Sequence, residues 1–189
     1  MKLSSAHFLP HRIAILGAES TGKSTLAHAL AAQLDGVLVP EYLREFCDAH
    51  GRPPLQYEQA SIADEQIRRE QQAGHRARAQ GLSWVVCDPG PLMTAIYSLY
   101  YFNDASLLPA ALSWQRSYAT TLVCQADIAW EQDGFLRDGP EVRTHIQTLI
   151  HRTLDAEQLP WLAIHGQGEQ RTTNALSALL SAADRQANP

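Results

Sequence analysis

The hydrophobic residues of this 189-residue chain follow two alternating patterns. Five short, continuous apolar runs are each typical of a strand that is buried on both faces. Longer stretches separate them, apolar at about every third or fourth residue, as in an amphipathic helix. The patterns predict strands at 12–16, 36–39, 82–87, 120–124 and 161–164, and helices at 25–34, 42–50, 55–80, 92–102, 106–119, 141–154 and 171–183.

This alternation predicts an α/β fold: a five-stranded parallel sheet with helices on both faces. Gly74 lies inside the longest predicted helix and is a candidate break. Since no internal repeat, low-complexity tract or linker divides the sequence, we expect one domain over residues 1–189. Ligands of such sheets bind at the carboxyl ends of the strands, so we expect a binding site in the loops that follow the strands.

The loop after the first strand carries the clearest chemical signal. Its sequence, Gly17-Ala-Glu-Ser-Thr-Gly-Lys-Ser24, matches the Walker A pattern G-x-x-x-x-G-K-[ST] and predicts a P-loop NTPase fold. Inward-turned N–H groups and the helix N-terminus would cradle phosphates, with Lys23 at the β- and γ-phosphates and Ser24 on Mg²⁺. The flanking strand and helix argue against a chance glycine turn. The predicted ATP-binding residues are Gly17, Glu19, Ser20, Thr21, Gly22, Lys23, Ser24 and Thr25.

Acidic residues follow the second and third strands. Asp88 stands where a P-loop enzyme keeps the acid that binds Mg²⁺, directly or through water, although an Asp before a proline also simply ends a strand. Glu41 either accepts a hydroxyl proton from a substrate, holds a sugar diol, or caps the next helix. Arg44, one turn on, either pairs with Glu41 or binds substrate. Glu41 and Asp88 are candidate catalytic residues, and Asp88 with Ser24 is the candidate metal site.

A turn-rich loop after the fourth strand has the position of a short helical kinase lid, over about residues 127–150. Arg137 and Arg143 flank it, and arginines there would stabilise the charge on a transferring phosphoryl group. Asp127 and Asp133 are expected to shape the loop or to hydrogen-bond a substrate. A solvated surface turn is the alternative for any one of these residues.

Gly166 and several aromatic residues are candidates for contacts with planar rings. Gly166 follows the fifth strand, on the side where we expect adenine. Most aromatic residues at helical spacing pack in a core, so at most two are expected to touch a substrate, with Tyr57, Tyr97 and Trp130 as the candidates. The full set of aromatic residues that could stack on a planar ring is Tyr57, Tyr97, Tyr100, Tyr101 and Trp130.

Composition narrows the class of protein. A hydrophobic content of 45% and a charged content of 19% are typical of a globular domain, and the net charge of −5 argues against a nucleic-acid partner. No apolar run is long enough for a membrane span, and the N-terminus has no signal-peptide core. The three cysteines have no metal or disulfide spacing, which indicates buried thiols and a cytoplasmic protein. A homo-oligomer is compatible with the sequence, which does not specify the oligomeric state.

The order of these motifs resembles the ribosylnicotinamide kinase domain of the NadR family, a P-loop kinase in the group of AAA-type ATPases. The resemblance covers residues 12–175 and is carried by the Walker A loop, then Glu41-Tyr-Leu-Arg-Glu45, Gln56-Tyr57, Asp88 with Thr94, and Trp130-Glu-Gln-Asp-Gly-Phe-Leu-Arg137. It implies phosphoryl transfer from Mg·ATP to the 5′-hydroxyl of nicotinamide riboside, giving nicotinamide mononucleotide in NAD salvage. It places Glu41, Tyr42 and Arg44 on the substrate side, and Asp133 and Arg137 in the lid.

Two departures from the family pattern bear on function. The chain has Asp88-Pro89-Gly90 where the family often has Asp-Thr, so the acceptor could differ. About ten residues precede the first strand, whereas the full-length regulator carries a DNA-binding and an adenylyltransferase domain there, so those two roles are not expected. A small-molecule kinase is the leading hypothesis; the alternatives are a kinase of another nucleoside or small hydroxyl compound, and a regulatory ATPase without an acceptor.

Overall fold

Five parallel strands form the centre of the molecule, in a computed structural model that describes residues 9–130 and 139–187, with side chains up to residue 182. The strands form one sheet in the order β2-β3-β1-β4-β5, and every neighbouring pair is parallel. The predicted α/β fold with a five-stranded parallel sheet is confirmed. The strands are β1 (His11–Leu16), β2 (Val37–Val39), β3 (Trp84–Cys87), β4 (Thr120–Cys124) and β5 (Leu162–Ile164).

The helices within the described residues are α1 (Lys23–Gln33), α2 (Tyr42–His50), α3 (Gln59–Gln80), α4 (Leu92–Phe102), α5 (Leu108–Gln115), α6 (Pro140–Ala156) and α7 (Gly168–Ala187). The short 3₁₀ turn Gln56–Glu58 precedes α3. The predicted limits of α2 and α4 are confirmed, whereas α5 is shorter than predicted and α7 begins earlier. The candidate break at Gly74 was wrong: α3 runs through it, because the helix formers around it outweigh the roughly 1 kcal/mol cost of one glycine.

The alternation of side chains along the strands divides the core into two layers. On one face, Ala14 and Leu16 of β1 pack with residues of α3, α4, α5 and α6. On the other face, Ile13 and Ile15 pack with residues of α1 and α7. The sheet is thus covered on both faces, as its continuous apolar strands predict.

The sheet topology sets where a ligand can bind. From the central strand β1 the chain goes to β2 and β3 on one side, and then crosses to β4 and β5 on the other. The strand order reverses beside β1, and at such a point the loops on either side diverge and leave a crevice at the carboxyl ends of the strands. No helix in the described part of the chain is both long and apolar enough to cross a membrane.

Candidate active site

The Walker A loop wraps tightly between β1 and α1. Gly17 has φ +148°, and a Cβ on it would lie 2.8 Å from Thr21 Oγ1 and 2.9 Å from the Cys124 carbonyl oxygen, so only glycine fits. Gly22, at the N-cap of α1, is left-handed with φ 74°, and Ser20 is also left-handed with φ 54°. Alternation of right- and left-handed residues is the backbone geometry that turns successive N–H groups toward an anion.

The carbonyl group of Ala18 holds the charged end of Lys23 at this loop. Lys23 Nζ donates to Ala18 O at 2.9 Å, and Thr21 Oγ1 donates to the same oxygen at 2.7 Å. The loop's only cation is therefore oriented by the backbone of the loop itself, at the entrance to α1. A positive charge and a helix N-terminus at one place favour the binding of an anion.

Asp88 directly follows β3 and lies close enough to Lys23 to interact with its charge. Its side chain is buried, and its backbone N–H donates to Val39 O of β2 at 2.9 Å. Burial raises the pKa of Asp88, while the Lys23 ammonium and a hydrogen bond from Ser24 lower it. Asp88 Oδ1 is buried and has no hydrogen-bond partner among the described residues.

Glu41 is the second carboxylate of this region, two residues beyond the end of β2. It occupies the N-cap position of α2, but its side chain makes no capping hydrogen bond, so capping does not explain it. Burial raises the pKa of Glu41; Lys23 lowers it, and the nearby Asp88 raises it further. Because β2 and β3 are parallel neighbours, the two carboxylates share one edge of the sheet.

These groups line a single cleft of about 850 Å³. Its other end has an aromatic wall from α4, where the rings of Tyr97 and Tyr101 are nearly parallel with centroids 6.0 Å apart. Tyr97 Oη donates to Glu19 Oε2 of the Walker A loop at 3.5 Å, and burial, with Glu19 close by, raises the pKa of Tyr97 well above its usual value. The cleft thus combines the cationic Walker A loop, two carboxylates and aromatic rings.

Most of the predicted site residues meet in this cleft. Those that line it are Glu19, Ser20, Thr21, Gly22, Lys23, Ser24, Thr25, Glu41, Arg44, Asp88 and Tyr97. Tyr42, Tyr57, Trp130 and Gly166 lie elsewhere, and Asp133 and Arg137 fall outside the described residues.

Asp88 and Ser24 fit a Mg²⁺ ion. Asp88 offers a buried oxygen with no partner in the described part of the chain, and the Ser24 hydroxyl hydrogen-bonds the same carboxylate. No group of three or more His, Cys, Asp or Glu that could hold a metal is found among the described residues. A nucleotide-associated Mg²⁺ takes one or two protein ligands and completes its shell with phosphates and water.

A family model described as AAA domain matches residues 12–171. The chain belongs to this AAA domain family. Two solved structures of the NadR protein, one in complex with NR and one with NAD and AMP-PNP, resemble 92% of the chain with TM-scores of 0.72 and 0.71, at 20% and 18% identity. The chain spans about half of each NadR chain, 52% and 49%.

A thymidylate kinase from Ehrlichia chaffeensis is similar over 90% of this chain and 98% of its own, with a TM-score of 0.65 and 16% identity. Together these likenesses show that the AAA domain has the fold of P-loop kinases. They also confirm the resemblance to NadR at the level of the fold.

Two of the predicted substrate residues lie away from the cleft of the AAA domain. The ring of Tyr42 lies under the guanidinium of Arg69, 4.4 Å from Cζ to the ring centroid, and packs against a small apolar cluster that contains Phe46. Its backbone N–H donates to Gln66 Oε1 at 3.0 Å. Tyr57 is 78% exposed and borders a separate cavity of about 340 Å³. A substrate role for either residue stays a prediction.

Gly166 and Trp130 belong to the segments that follow β5 and β4. Gly166 is left-handed with φ +97°, and its N–H donates to Asp127 Oδ2 at 2.9 Å, so Asp127 shapes this loop. Trp130 is half-buried, and its Nε1 has no hydrogen-bond partner within the described ranges. Their roles at a nucleotide also stay predictions.

Arg171 is a residue of this AAA domain that the sequence did not identify. It is 3% exposed at the start of α7, and its guanidinium donates to carbonyl oxygens of Thr21, Gln125 (3.2 Å) and Gly166 (2.6 Å), and to the Asp127 carboxylate. It therefore fixes the Walker A loop relative to the loops after β4 and β5. The only available signal was a charged residue on the apolar stripe of a helix.

Helix α6 adds a second set of contacts that the sequence did not identify. Gln147 accepts a hydrogen bond from Ala18 N at 3.1 Å and donates to Cys124 O at 3.2 Å. Arg143, predicted to act in the lid, is buried and donates to Ile128 O at 2.9 Å. The helix thus ties the Walker A loop to the start of the segment after β4.

Gly90, in the Asp88-Pro89-Gly90 turn that departs from the family pattern, is tightly packed. A Cβ on Gly90 would lie 2.6 Å from Tyr118 Oη, so a side chain there would require Tyr118 or the turn to move. The Tyr118 hydroxyl donates to the buried carboxylate of Glu70, with contacts of 2.7 and 2.8 Å, and Trp114 Nε1 donates to the same group at 2.7 Å. A packed hydrogen-bonded cluster therefore stands behind the turn that carries Asp88.

Proposed function

We propose that this protein is an ATP-dependent kinase that phosphorylates the 5′-hydroxyl of nicotinamide riboside, giving nicotinamide mononucleotide in a route of NAD salvage. The observation that carries the proposal is the single cleft that is lined by the Walker A loop with Lys23, by the carboxylates of Asp88 and Glu41, and by an aromatic wall. A regulatory ATPase needs the loop but neither an acceptor-side carboxylate nor an aromatic end. A phosphoryl acceptor with a planar ring accounts for all of these features.

On the donor side, the Walker A loop would hold the phosphates of ATP. Lys23 would contact the β- and γ-phosphates, and Ser24 with Asp88 would hold Mg²⁺. When bound, Mg²⁺ neutralises charge that develops on the phosphoryl group during transfer. We place adenine on the side of Gly166 and the Arg171 contacts. The assignment of Arg137 and Asp133 to the lid rests on the resemblance alone.

On the acceptor side, we assign the general base to Glu41 rather than to Asp88. Asp88 accepts a hydrogen bond from Ser24 and so belongs with the metal, whereas Glu41 lines the cleft without a capping bond. Its raised pKa brings the carboxyl nearer to neutral pH, which strengthens it as an acceptor of the hydroxyl proton. Holding the ribose diol is the other role that its position allows.

Nicotinamide riboside is the proposed acceptor because two lines of support coincide. The aromatic wall of Tyr97 and Tyr101 offers ring faces to a planar, cationic pyridinium ring. The structure of NadR that resembles this chain was determined in complex with NR. We place the activity in the cytoplasm, consistent with three free, buried cysteines.

The test is a panel assay with the purified protein. Mg·ATP is incubated with nicotinamide riboside, adenosine, cytidine, thymidine or no acceptor, ADP release is followed, and the product is identified by mass spectrometry. We expect ADP release that depends on nicotinamide riboside, and nicotinamide mononucleotide as product. Release that depends on another nucleoside would transfer the function to that acceptor, and equal release without any acceptor would refute a kinase.

A further inference from the structure

One buried polar side chain of the cleft is not used in the proposed phosphoryl transfer. Gln59, the first residue of α3, is 4% exposed and lines the cleft, and its Oε1 is buried without a hydrogen-bond partner among the described residues. Leaving a buried amide oxygen unsatisfied costs about 1–3 kcal/mol. A buried acceptor at the wall of a binding cleft is therefore expected to meet a donor from the ligand.

The other buried glutamines show the contrast. Gln66 accepts a hydrogen bond from Tyr42 N, Gln115 donates to Thr121 Oγ1 at 2.8 Å, and Gln147 joins Ala18 to Cys124. Each of these three side chains ties together elements of the fold through at least one of its amide atoms, although Gln66 Nε2 and Gln115 Oε1 are also buried without a hydrogen-bond partner among the described residues. The Gln59 side chain differs in two ways: it makes no such connection within residues 9–130 and 139–187, and of the four glutamines it alone lines the cleft.

Gln59 lies near the aromatic wall of the cleft. The turn just before it is joined to the end of α4 by a hydrogen bond from Gln56 Nε2 to Asp104 Oδ2, at 3.0 Å. The same end of α4 contributes Tyr101 and Phe102 to the wall of the cleft. Gln59 also borders the smaller cavity, so it stands between that cavity and the aromatic wall.

We propose that Gln59 is a specificity residue, whose side-chain amide accepts a hydrogen bond from an N–H group on the ring of the acceptor nucleoside. The inference rests on the proposed function: for nicotinamide riboside, the donor is the carboxamide NH₂ group. A site built to hydrogen-bond a polar group rejects an analogue that lacks it, because the protein group is then left buried and unpaired. Gln59 would thus select carboxamide-bearing rings from rings of the same shape.

The experiment pairs two substrates with two enzymes. Nicotinamide riboside is compared with 3-acetylpyridine riboside, in which a methyl group replaces the NH₂ group without changing the ring. We expect the protein to prefer nicotinamide riboside by about fivefold to tenfold in kcat/KM, mostly through KM, since the hydrogen bond forms already in the bound substrate. In Gln59→Leu the preference for nicotinamide riboside is expected to disappear. In Gln59→Asn the preference is also expected to fall, because the amide is withdrawn by one methylene.

The control is Gln72→Leu, the same substitution at an exposed position of the same helix, which is expected to keep the preference. The Kd for Mg·ATP and the Tm of each variant establish that the fold and the Walker A loop are intact. Equal kcat/KM for the two substrates in the unsubstituted protein, or an unchanged preference in both Gln59 variants, overturns the proposal for Gln59 alone.

Failure of the proposed substrate gives a different result. If neither pyridine riboside releases ADP, nicotinamide riboside is excluded, and the same comparison is made with adenosine and purine riboside, which differ by one amino group. A preference for adenosine that is lost in Gln59→Leu supports the role of Gln59 with another acceptor. If no nucleoside is accepted, both the proposed function and this inference are refuted.

Discussion

Gly90→Ala places one methyl group where the structure has no space for it. The new Cβ would lie 2.6 Å from Tyr118 Oη, 3.1 Å from Cζ and 3.2 Å from Cε2. Either the phenol moves and weakens its hydrogen bonds to Glu70, or the turn that begins at Asp88 moves instead. The first response destabilises the buried cluster, and the second displaces the carboxylate that we assign to the metal.

Both responses are expected to lower the free energy of unfolding by a similar amount. A hydrogen bond lost from a buried carboxyl group costs about 1–3 kcal/mol, depending on its charge, and overpacking of a dense core costs about 1–3 kcal/mol. We therefore expect Gly90→Ala to lower the free energy of unfolding by about 1–3 kcal/mol. If the turn moves, kcat should also fall, because Asp88 is two residues away.

Urea denaturation measures this loss, and two further variants test its cause. Gly74→Ala makes the same change inside α3, where the new Cβ meets nothing within 4 Å, so it should stabilise the protein by about 0.5–1 kcal/mol. Tyr118→Phe removes the closest atom, and the double variant with Gly90→Ala should be destabilised by at least 1 kcal/mol less than the sum of the two single variants. Strictly additive losses, or a Gly90→Ala protein as stable as the original, would refute the steric explanation.

Three further substitutions test the site. Lys23→Ala should lower kcat/KM about 10²–10³-fold with little change in Tm, and substantial residual activity would contradict the Walker A assignment. Glu41→Gln should abolish turnover yet raise Tm at neutral pH. The reason is that the pKa of Glu41 is raised in the folded state, so its ionisation costs stability as pH rises through that pKa. The gain in Tm of Glu41→Gln should therefore vanish well below pH ~4.3, where the carboxyl is protonated in both the folded and the unfolded state. Arg171→Met should cost about 3 kcal/mol in urea denaturation and raise the KM for ATP, whereas Arg68→Met, whose partner is on the surface, should cost under about 0.5 kcal/mol.

The donor end of the site and its two carboxylates could be predicted because local rules determine them. The Walker A residues are contiguous, so their geometry follows from the glycines and the helix that they begin. Glu41 and Asp88 are far apart in sequence, yet both follow strands, and parallel strands end at one edge of a sheet. Gly74 shows the limit of such rules: glycine permits a helix break, but the helix formers around it prevail.

The residues that could not be predicted act through tertiary contacts with the backbone. Arg171 is 150 residues from Thr21, and three of its four acceptors are carbonyl groups, which every residue has, so no sequence pattern could name them. Gln147 likewise binds backbone atoms of Ala18 and Cys124 from another helix. For Gln59 the informative observation is the missing partner of a buried oxygen, which exists only once α3 is docked beside α4. Sequence therefore identifies the candidate groups for the chemistry, while the side chains that contact them, or that we propose to choose the acceptor, emerge from the packing of helices onto the sheet.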